Sequence, residues 1–297
     1  MAGIAAVERD TGLGKDTLRV WERRYGFPTP ERDRFGERVY PREQVEKLRL
    51  LKRLIDGGQR PGKIVQCSLA ELLARIRTDD IKGAPSSLDP AVATKIDLLR
   101  THRVDELRGE LAQALARAGL QRFIIEIVGP LNVAVGEAWM RGGVQIFEEH
   151  LYSECMQMIL RGAIAGLPRV QGGPCVLMST FPHETHGLGL LMAEALFVLE
   201  GADCVPLGVS TPVLEIARAA RAHGADIVAL SFSLASPPAP TIAGLRALRE
   251  LLPESTEIWA GGASVALGRL TPHEVLVLRE LSAIGAALAD WRARRRA

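Results

Sequence analysis

The sequence predicts a multidomain α + α/β chain: a winged helix-turn-helix over 1–77, a linker over 78–90, a four-helix bundle over 91–168 and an α/β domain over 172–297. Three patterns carry that prediction. The amino-terminal quarter is basic and holds two short helical segments split by a glycine turn. Between Ala91 and Ala165, apolar residues recur at a spacing near 3.6. From Pro174 onward, strand-like apolar runs alternate with helix-like ones, the signature of a parallel sheet.

In chain order, Ile4 to Asp10 reads as a helix, Thr11-Gly12-Leu13-Gly14 as a turn, and Asp16 to Arg24 as a second helix with Leu18 and Trp21 on its inner side. This is helix-turn-helix spacing. A loop with Arg32, Arg34 and Arg38 follows, closed by Val39-Tyr40-Pro41. Arg42 to Ile55 is amphipathic, Gly57-Gly58 ends it, and Ile64 to Ile76 reads as the last helix of the module. The segment Thr78 to Pro90 is polar and rich in Pro, Ser and Gly, as a linker is. The net charge of +2 hides an asymmetry: 16 Lys/Arg stand against 11 Asp/Glu through Arg75, and 21 against 24 beyond it. A basic module on a mildly acidic body points to nucleic acid at one end.

The bundle is read from Val92–Arg100, Val104–Ala118, Leu120–Met140 and Gln145–Ala165, with Val104, Leu107, Leu111 and Leu115 as one stripe and Pro130 as a kink or local break in the third helix. The α/β domain is read from strands at Cys175–Thr180, Asp203–Gly208, Asp226–Ser233 and Glu257–Gly261. Helices at Gly189–Leu199, Pro212–Ala222 and Thr241–Leu252 connect them, and a weaker pair, Glu274–Leu278 and Ser282–Arg292, closes the chain. This is a flavodoxin-like (Rossmann-like) arrangement with its ligand at the strand ends. Ser210 and Thr211 read as caps of the second helix, and Arg292, Arg294, Arg295 and Arg296 as a solvated helix end.

Composition is that of a globular protein, 47% hydrophobic and 24% charged. Cys67, Cys155, Cys175 and Cys204 have no C-x-x-C spacing and read as free thiols in a reducing compartment. Met1–Asp10 has no signal-peptide pattern, and no apolar run nears the roughly 20 residues that span a bilayer. The expectation is a cytoplasmic protein with no membrane contact.

The richest stretch chemically is Phe181-Pro182-His183-Glu184-Thr185-His186-Gly187-Leu188-Gly189, set between a strand and a helix. His186 offers an imidazole to a metal, and Glu184, two residues away, can take the ring's other N–H. Gly187 and Gly189 leave the backbone open to something bulky. The string Glu-x-His-x-x-Gly resembles the loop of cobalamin-binding domains of the methionine-synthase type, in which the His is the lower ligand of cobalt. Ser231-Phe232-Ser233 and Gly261-Gly262 follow later strands, where that family has a Ser-x-Leu element and a Gly-Gly pair. Ser233 stands where Leu is usual. The resemblance implies that His186 holds cobalt, and that the displaced nucleotide tail passes Ser231 and the two glycines. His183 then reads as a hydrogen-bonder of the same loop, and His223 and His273 as surface residues.

Thr17 through Gly26 resembles the recognition helix of the MerR family, and the arginine loop resembles its wing. The DNA contacts this implies are Lys15, Thr17, Arg19, Arg23, Arg24, Tyr25, Arg38 and Tyr40, with wing arginines on phosphates. Trp139, nine residues, then Glu149-His150 matches the pattern of light-responsive, cobalamin-binding MerR repressors of the CarH/LitR type. There the bundle caps adenosylcobalamin, the Trp packs on the adenosyl group and the Glu contacts its ribose. Met140 stands where the best-known members have a His that ligates cobalt after photolysis, and a thioether is a poor ligand for hard, oxidised cobalt.

The expected function is a non-enzymatic transcriptional repressor that binds operator DNA, self-associates to a dimer or tetramer, and uses adenosylcobalamin to sense light. One alternative is a MerR regulator that senses cobalamin or its redox state without light. Another is a corrinoid methyl-carrier protein, which has no use for a wing and recognition helix.

Overall fold

The computed structural model describes residues 2–56, 59–72, 89–140, 143–168, 172–234, 236–270 and 275–296. The expected Gly57-Gly58 stop, most of the linker, His273, Glu274 and the side chain of Met140 lie outside the described residues. The chain divides into two compact units, Met1–Pro90 with Val135–Gln145, and Ala91–Ala134 with Ile146–Ala297.

In the first unit, β1 (Ala2–Gly3) leads into α1 (Ile4–Thr11) and α2 (Lys15–Tyr25). Helix α1 stops because Gly12 turns left-handed at φ +69° and returns its N–H to Glu8 O. Glu8 then serves the next helix, its carboxylate accepting the Lys15 N–H at 3.2 Å. Strands β2 (Glu31–Arg32) and β3 (Arg38–Tyr40) form the wing, paired antiparallel with Arg32 opposite Arg38. The short β1 adds to β3 and places Ala2 opposite Tyr40.

Helices α3 (Arg42–Asp56) and α4 (Pro61–Ile64) complete the core around Leu18, Trp21, Tyr40, Leu48, Leu51 and Ile64. Burial of each such side chain contributes roughly 1.5–3 kcal/mol. The last helix, expected to be continuous from Ile64, is instead interrupted at residues 65–68 and resumes at 69–72. The cause is a capping box: Ser68 N–H donates to Glu71 Oε2 at 2.7 Å and Glu71 N–H to Ser68 Oγ at 3.2 Å.

The bundle helices are α5 (Pro90–Arg100), α6 (Val104–Ala118), a third helix built from α7 (Leu120–Arg122), a π-turn (Phe123–Val128) and α8 (Gly129–Met140), and α9 (Ile146–Ala165). Leu107 and Leu111 are fully buried, as are Phe123, Ile124, Val128, Met156 and Leu160. The break expected at Pro130 takes the form of the π-turn just before it. Gly129 N–H reaches back to Ile124 O, and the wider turn makes room for the proline ring and its missing N–H.

The α/β part runs β4 (Cys175–Ser179), α10 (Leu188–Leu199), β5 (Asp203–Gly208), α11 (Val213–Ala222), β6 (Ile227–Phe232), α12 (Pro238–Leu251), β7 (Glu257–Gly262), β8 (Leu276–Leu278) and α13 (Ala283–Arg296). All its strand pairs are parallel, in the order β5-β4-β6-β7-β8, so the crossover direction changes beside β4. That switch point opens a crevice at the carboxyl ends of the strands. One sequence expectation changes here and a second is filled out. Helix α11 is preceded by Pro212, with no side-chain cap from Ser210 or Thr211. Instead Ser210 N–H donates to Thr180 Oγ1 at 2.8 Å and Thr211 N–H to Thr180 O at 3.0 Å. Of the carboxyl-terminal arginines, Arg294 and Arg295 are exposed, as a solvated end is, but they and Arg292 also act as fasteners. Arg294 pairs with Glu257 at 2.8 Å, Arg295 donates to Ser255 O at 2.7 Å, and Arg292 bonds Glu200 O.

Candidate functional site

The loop after β4 is organised by one carboxylate. Glu184 is 2% exposed, and both of its carboxylate oxygens accept hydrogen bonds from neighbouring loop residues. Oε1 accepts the backbone N–H of His186 at 2.8 Å and faces the ring Nδ1 at 2.6 Å. Oε2 accepts Ser233 N–H and Ser233 Oγ, both at 2.7 Å, and also the hydroxyl of Ser236. Its main-chain carbonyl takes Thr180 Oγ1 at 2.6 Å and Ser210 Oγ at 3.3 Å. Burial alone would raise this carboxyl, but the bonds from His186, Ser236 and Ser233 outweigh it and hold Glu184 down to about 2.

An ionised carboxylate only accepts, so Nδ1 of His186 carries a proton and donates it to Glu184. The side chain of His186 is 62% exposed. An imidazole oriented by a buried carboxylate is the arrangement of a metal-ligating histidine. Ser233, which departs from the family's Leu, therefore has a definite place: it holds the carboxylate that orients His186. Ser236 and Thr180 were not legible as site residues. The only signal was the hydroxyl spacing Ser231-x-Ser233-x-x-Ser236. His183 is exposed on the same loop.

Beside this loop a cavity of about 220 Å³ lies against the sheet, lined by Gly189, Ser231, Gly261 and Gly262 at its polar end and by Phe197 and Trp259 deeper in. The glycines are required by contact. A Cβ on Gly189 would sit 3.1 Å from Ser231 Oγ, and one on Gly262, at φ +110°, would strike Phe232 O at 2.2 Å. Gly187 faces Val209, whose Cγ1 would meet an added Cβ at 3.0 Å. Val209, Leu234 and Val265, on loops after three different strands, expose their side chains at the same end of the sheet. One outward imidazole, an apolar rim and a slot beside it fit a flat macrocycle with an axial metal position and a pendant tail.

On the bundle, Glu149 Oε1 accepts Ser153 Oγ at 2.7 Å, and His150 projects into solvent 3.7 Å from Glu149 Oε2. Trp139 lies part-buried on the last turn of α8. His102, in the turn before α6, places Nε2 3.1 Å from Oε1 of the buried Glu148. Tyr152 donates to Asn132, whose Nδ2 reaches Met192 Sδ at 3.1 Å.

In the first unit, Leu18 and Trp21 face inward, so α2 turns Arg19, Arg23 and Arg24 outward, with Lys15, Thr17 and Tyr25 part-exposed. Arg19 is paired to Asp16 at 3.1 Å and Lys15 to Glu8 at 3.5 Å. Arg38 is clasped to Glu22 at 2.9 Å, which raises its guanidinium pKa. Tyr40 does not reach the surface: it is 0% exposed in the module core, and its hydroxyl has no partner among the described residues. It supports the wing from inside and offers no contact to DNA.

Residues 3–67 match the family model of the MerR HTH family regulatory protein, and residues 96–161 match that of a B12 binding domain. The chain is 32% identical over 259 residues to the HTH-type transcriptional repressor CarH of Myxococcus xanthus, covering 85% of this chain and 86% of that protein. It is 29% identical over 239 residues to the HTH-type transcriptional repressor CarA of the same organism, covering 79% and 77%. Among solved structures, the monomethylamine corrinoid protein of Methanosarcina barkeri is similar in fold, with a TM-score of 0.53 at 16% identity over 66% of this chain and 96% of that one.

Proposed function

We propose, for a chain that belongs to the CarH family of cobalamin-binding MerR-type transcriptional regulators, a function as a repressor that binds operator DNA with adenosylcobalamin in place and releases it on illumination. The observation that carries the reading is the Glu184–His186 pair beside a glycine-lined slot, on the same chain as a winged helix-turn-helix. His186 Nε2 would be the lower cobalt ligand, with Glu184, Ser233 and Ser236 holding its ring. Gly187, Gly189, Ser231, Gly261 and Gly262 would admit the macrocycle and its tail. Trp139, Met140, Glu149 and His150 would face the upper side, Trp139 against the adenosyl group and Glu149 on its ribose. The cofactor supplies a Co–C bond that light breaks.

On DNA, Arg19, Arg23 and Arg24 would enter the major groove, with Lys15, Thr17 and Tyr25 beside them. Arg38 would set the wing. Self-association to a dimer or tetramer would let several modules engage one operator, raising avidity by roughly 10²–10⁴ without new base contacts. Among the described residues no helix is long and apolar enough to cross a membrane, and the reading puts the protein in the cytoplasm.

The test is the absorption spectrum of protein purified with adenosylcobalamin, before and after illumination, with sedimentation and DNA retention measured on the same samples. The reading expects a bleached Co–C spectrum, smaller assemblies and loss of DNA after light. Uptake of cobalamin with DNA binding indifferent to light would favour the second reading, a regulator that senses cobalamin or its redox state as a plain ligand. Met140, in the place of the family's His, is the observation that supports that alternative.

A further inference from the structure

The wing ends in a turn that is unusually well fixed for its length. Asp33 N–H bonds Glu37 O and Gly36 N–H bonds Asp33 O, both at 3.0 Å. Asp33 Oδ1 accepts Phe35 N–H at 2.8 Å and Glu37 N–H at 2.9 Å. Arg32 Nη1 closes the turn on Gly36 O at 2.6 Å, and Gly36 takes the φ of +82° that the reversal requires. At the tip stands Phe35, 75% exposed, above every other large apolar side chain among the described residues. The Arg34 guanidinium lies 4.7 Å from the centre of its ring.

We infer that Phe35 is an apolar wedge that enters the operator duplex and stacks on or between bases, with Arg34 riding on its ring. The inference rests on the reading of this module as DNA-binding and adds to it a residue and a mode of contact. Two features favour a base contact over a phosphate one. First, the wing arginines are committed within the protein: Arg32 to Gly36 O, Arg38 to Glu22 and Arg34 to the ring. Second, Glu31 and Glu37 are exposed on the same hairpin, so its tip has no surplus of positive charge to offer the backbone. An aromatic ring loses water and gains stacking area in a groove whatever the charge around it. Rigid presentation lowers the entropy lost on insertion. The Arg38–Glu22 pair joins the wing to α2, so the wedge and the recognition helix would dock as one body.

The experiment uses the full chain loaded with adenosylcobalamin in the dark, and a fluorescein-labelled duplex that the wild-type protein has enriched from a random pool. Anisotropy is read across a range of NaCl concentrations for wild type, Phe35→Ala, Arg34→Ala and Phe35→Trp. Phe35→Ala is expected to bind roughly tenfold more weakly, the scale of one lost base–aromatic stack, with an unchanged slope of log affinity against log salt. Phe35→Trp is expected to restore binding, and 2-aminopurine at the step beneath the wing to brighten with wild type but not with Phe35→Ala. Equal affinity of Phe35→Ala and wild type would overturn the inference. So would a fall in salt slope of about 0.9, the mark of a lost phosphate contact. Failure of the wild type to enrich any duplex would instead remove the DNA-binding reading itself. Since Phe35 contributes nothing to the core, circular dichroism of all variants should match.

Discussion

Replacing Glu184 by Gln tests the network that aims His186. The carboxyl sits at about 2 in the fold against an ordinary value of 4.5. Because the folded value is depressed, the stabilisation is complete above the unfolded value and fades as pH falls from 4.5 towards 2. A difference of this size corresponds to about 3 kcal/mol at neutral pH, with about half remaining near pH 3. Gln keeps the shape but carries no charge, and its amide would point donors at Ser233 N–H, Ser233 Oγ or Ser236 Oγ, which are donors already. Urea unfolding of wild type and Glu184→Gln, followed by near-ultraviolet circular dichroism, should show a gap of about 3 kcal/mol at pH 7 that falls to about half of that near pH 3. Amide exchange at Ser233 and His186, whose N–H groups end on this carboxylate, should quicken in the variant at neutral pH. A variant as stable as wild type at pH 7, or a gap that does not shrink in acid, would mean that the serines and the loop hold themselves without the charge.

Three further outcomes follow from the site. His186→Ala should weaken cobalamin binding and lose the spectrum of cobalt ligated by protein imidazole; an unchanged spectrum would assign the lower ligand elsewhere. Gly262→Ala must hold φ near +110° and put a methyl 2.2 Å from Phe232 O, so it should cost upwards of about 2 kcal/mol in thermal or urea stability and reduce cofactor uptake; a stable variant with full uptake would refute the tight-cradle account. Met140→His should create bis-histidine absorption after illumination, which the wild-type protein should lack. A wild-type photoproduct that already has it would mean that another histidine, such as His102 or His150, serves the upper side.

The alternation that builds the parallel sheet was legible because each strand is a short apolar run between turn residues, and the structure reproduces those runs within a residue or two. The helix-turn-helix was legible for a similar reason, since Leu18 and Trp21 show which side of α2 is inward. Two-residue β1 leaves no periodic trace, so its pairing with β3 could be found only in three dimensions. The break before Ser68 did have a signal, the Ser-x-x-Glu capping box, which the apolar pattern from Ile64 onward masks. Glu184 and His186 sit close in sequence and their contact could be anticipated. Ser236, more than fifty residues away, joins them only because β4 and β6 are neighbours in the sheet. Tyr40 looked like a surface contact because it flanks the wing arginines; it shares a face of β3 with Arg38, two residues earlier, but Tyr40 is buried in the module core while Arg38 lies part-exposed against Glu22.

If α2 and the wing both dock on DNA, the clasp between Arg38 and Glu22 would make distance itself a thing this module can measure. Two prongs on a hinge could follow a duplex whose contact points vary in separation; two prongs pinned by a 2.9 Å ion pair cannot. One base pair inserted between the steps beneath helix and wing would displace one prong by about 3.4 Å along the axis and by roughly 35° around it. An operator for this chain would therefore be defined by its internal ruler as much as by its letters. Cutting the clasp with Glu22→Gln would relax the ruler before it altered the letters.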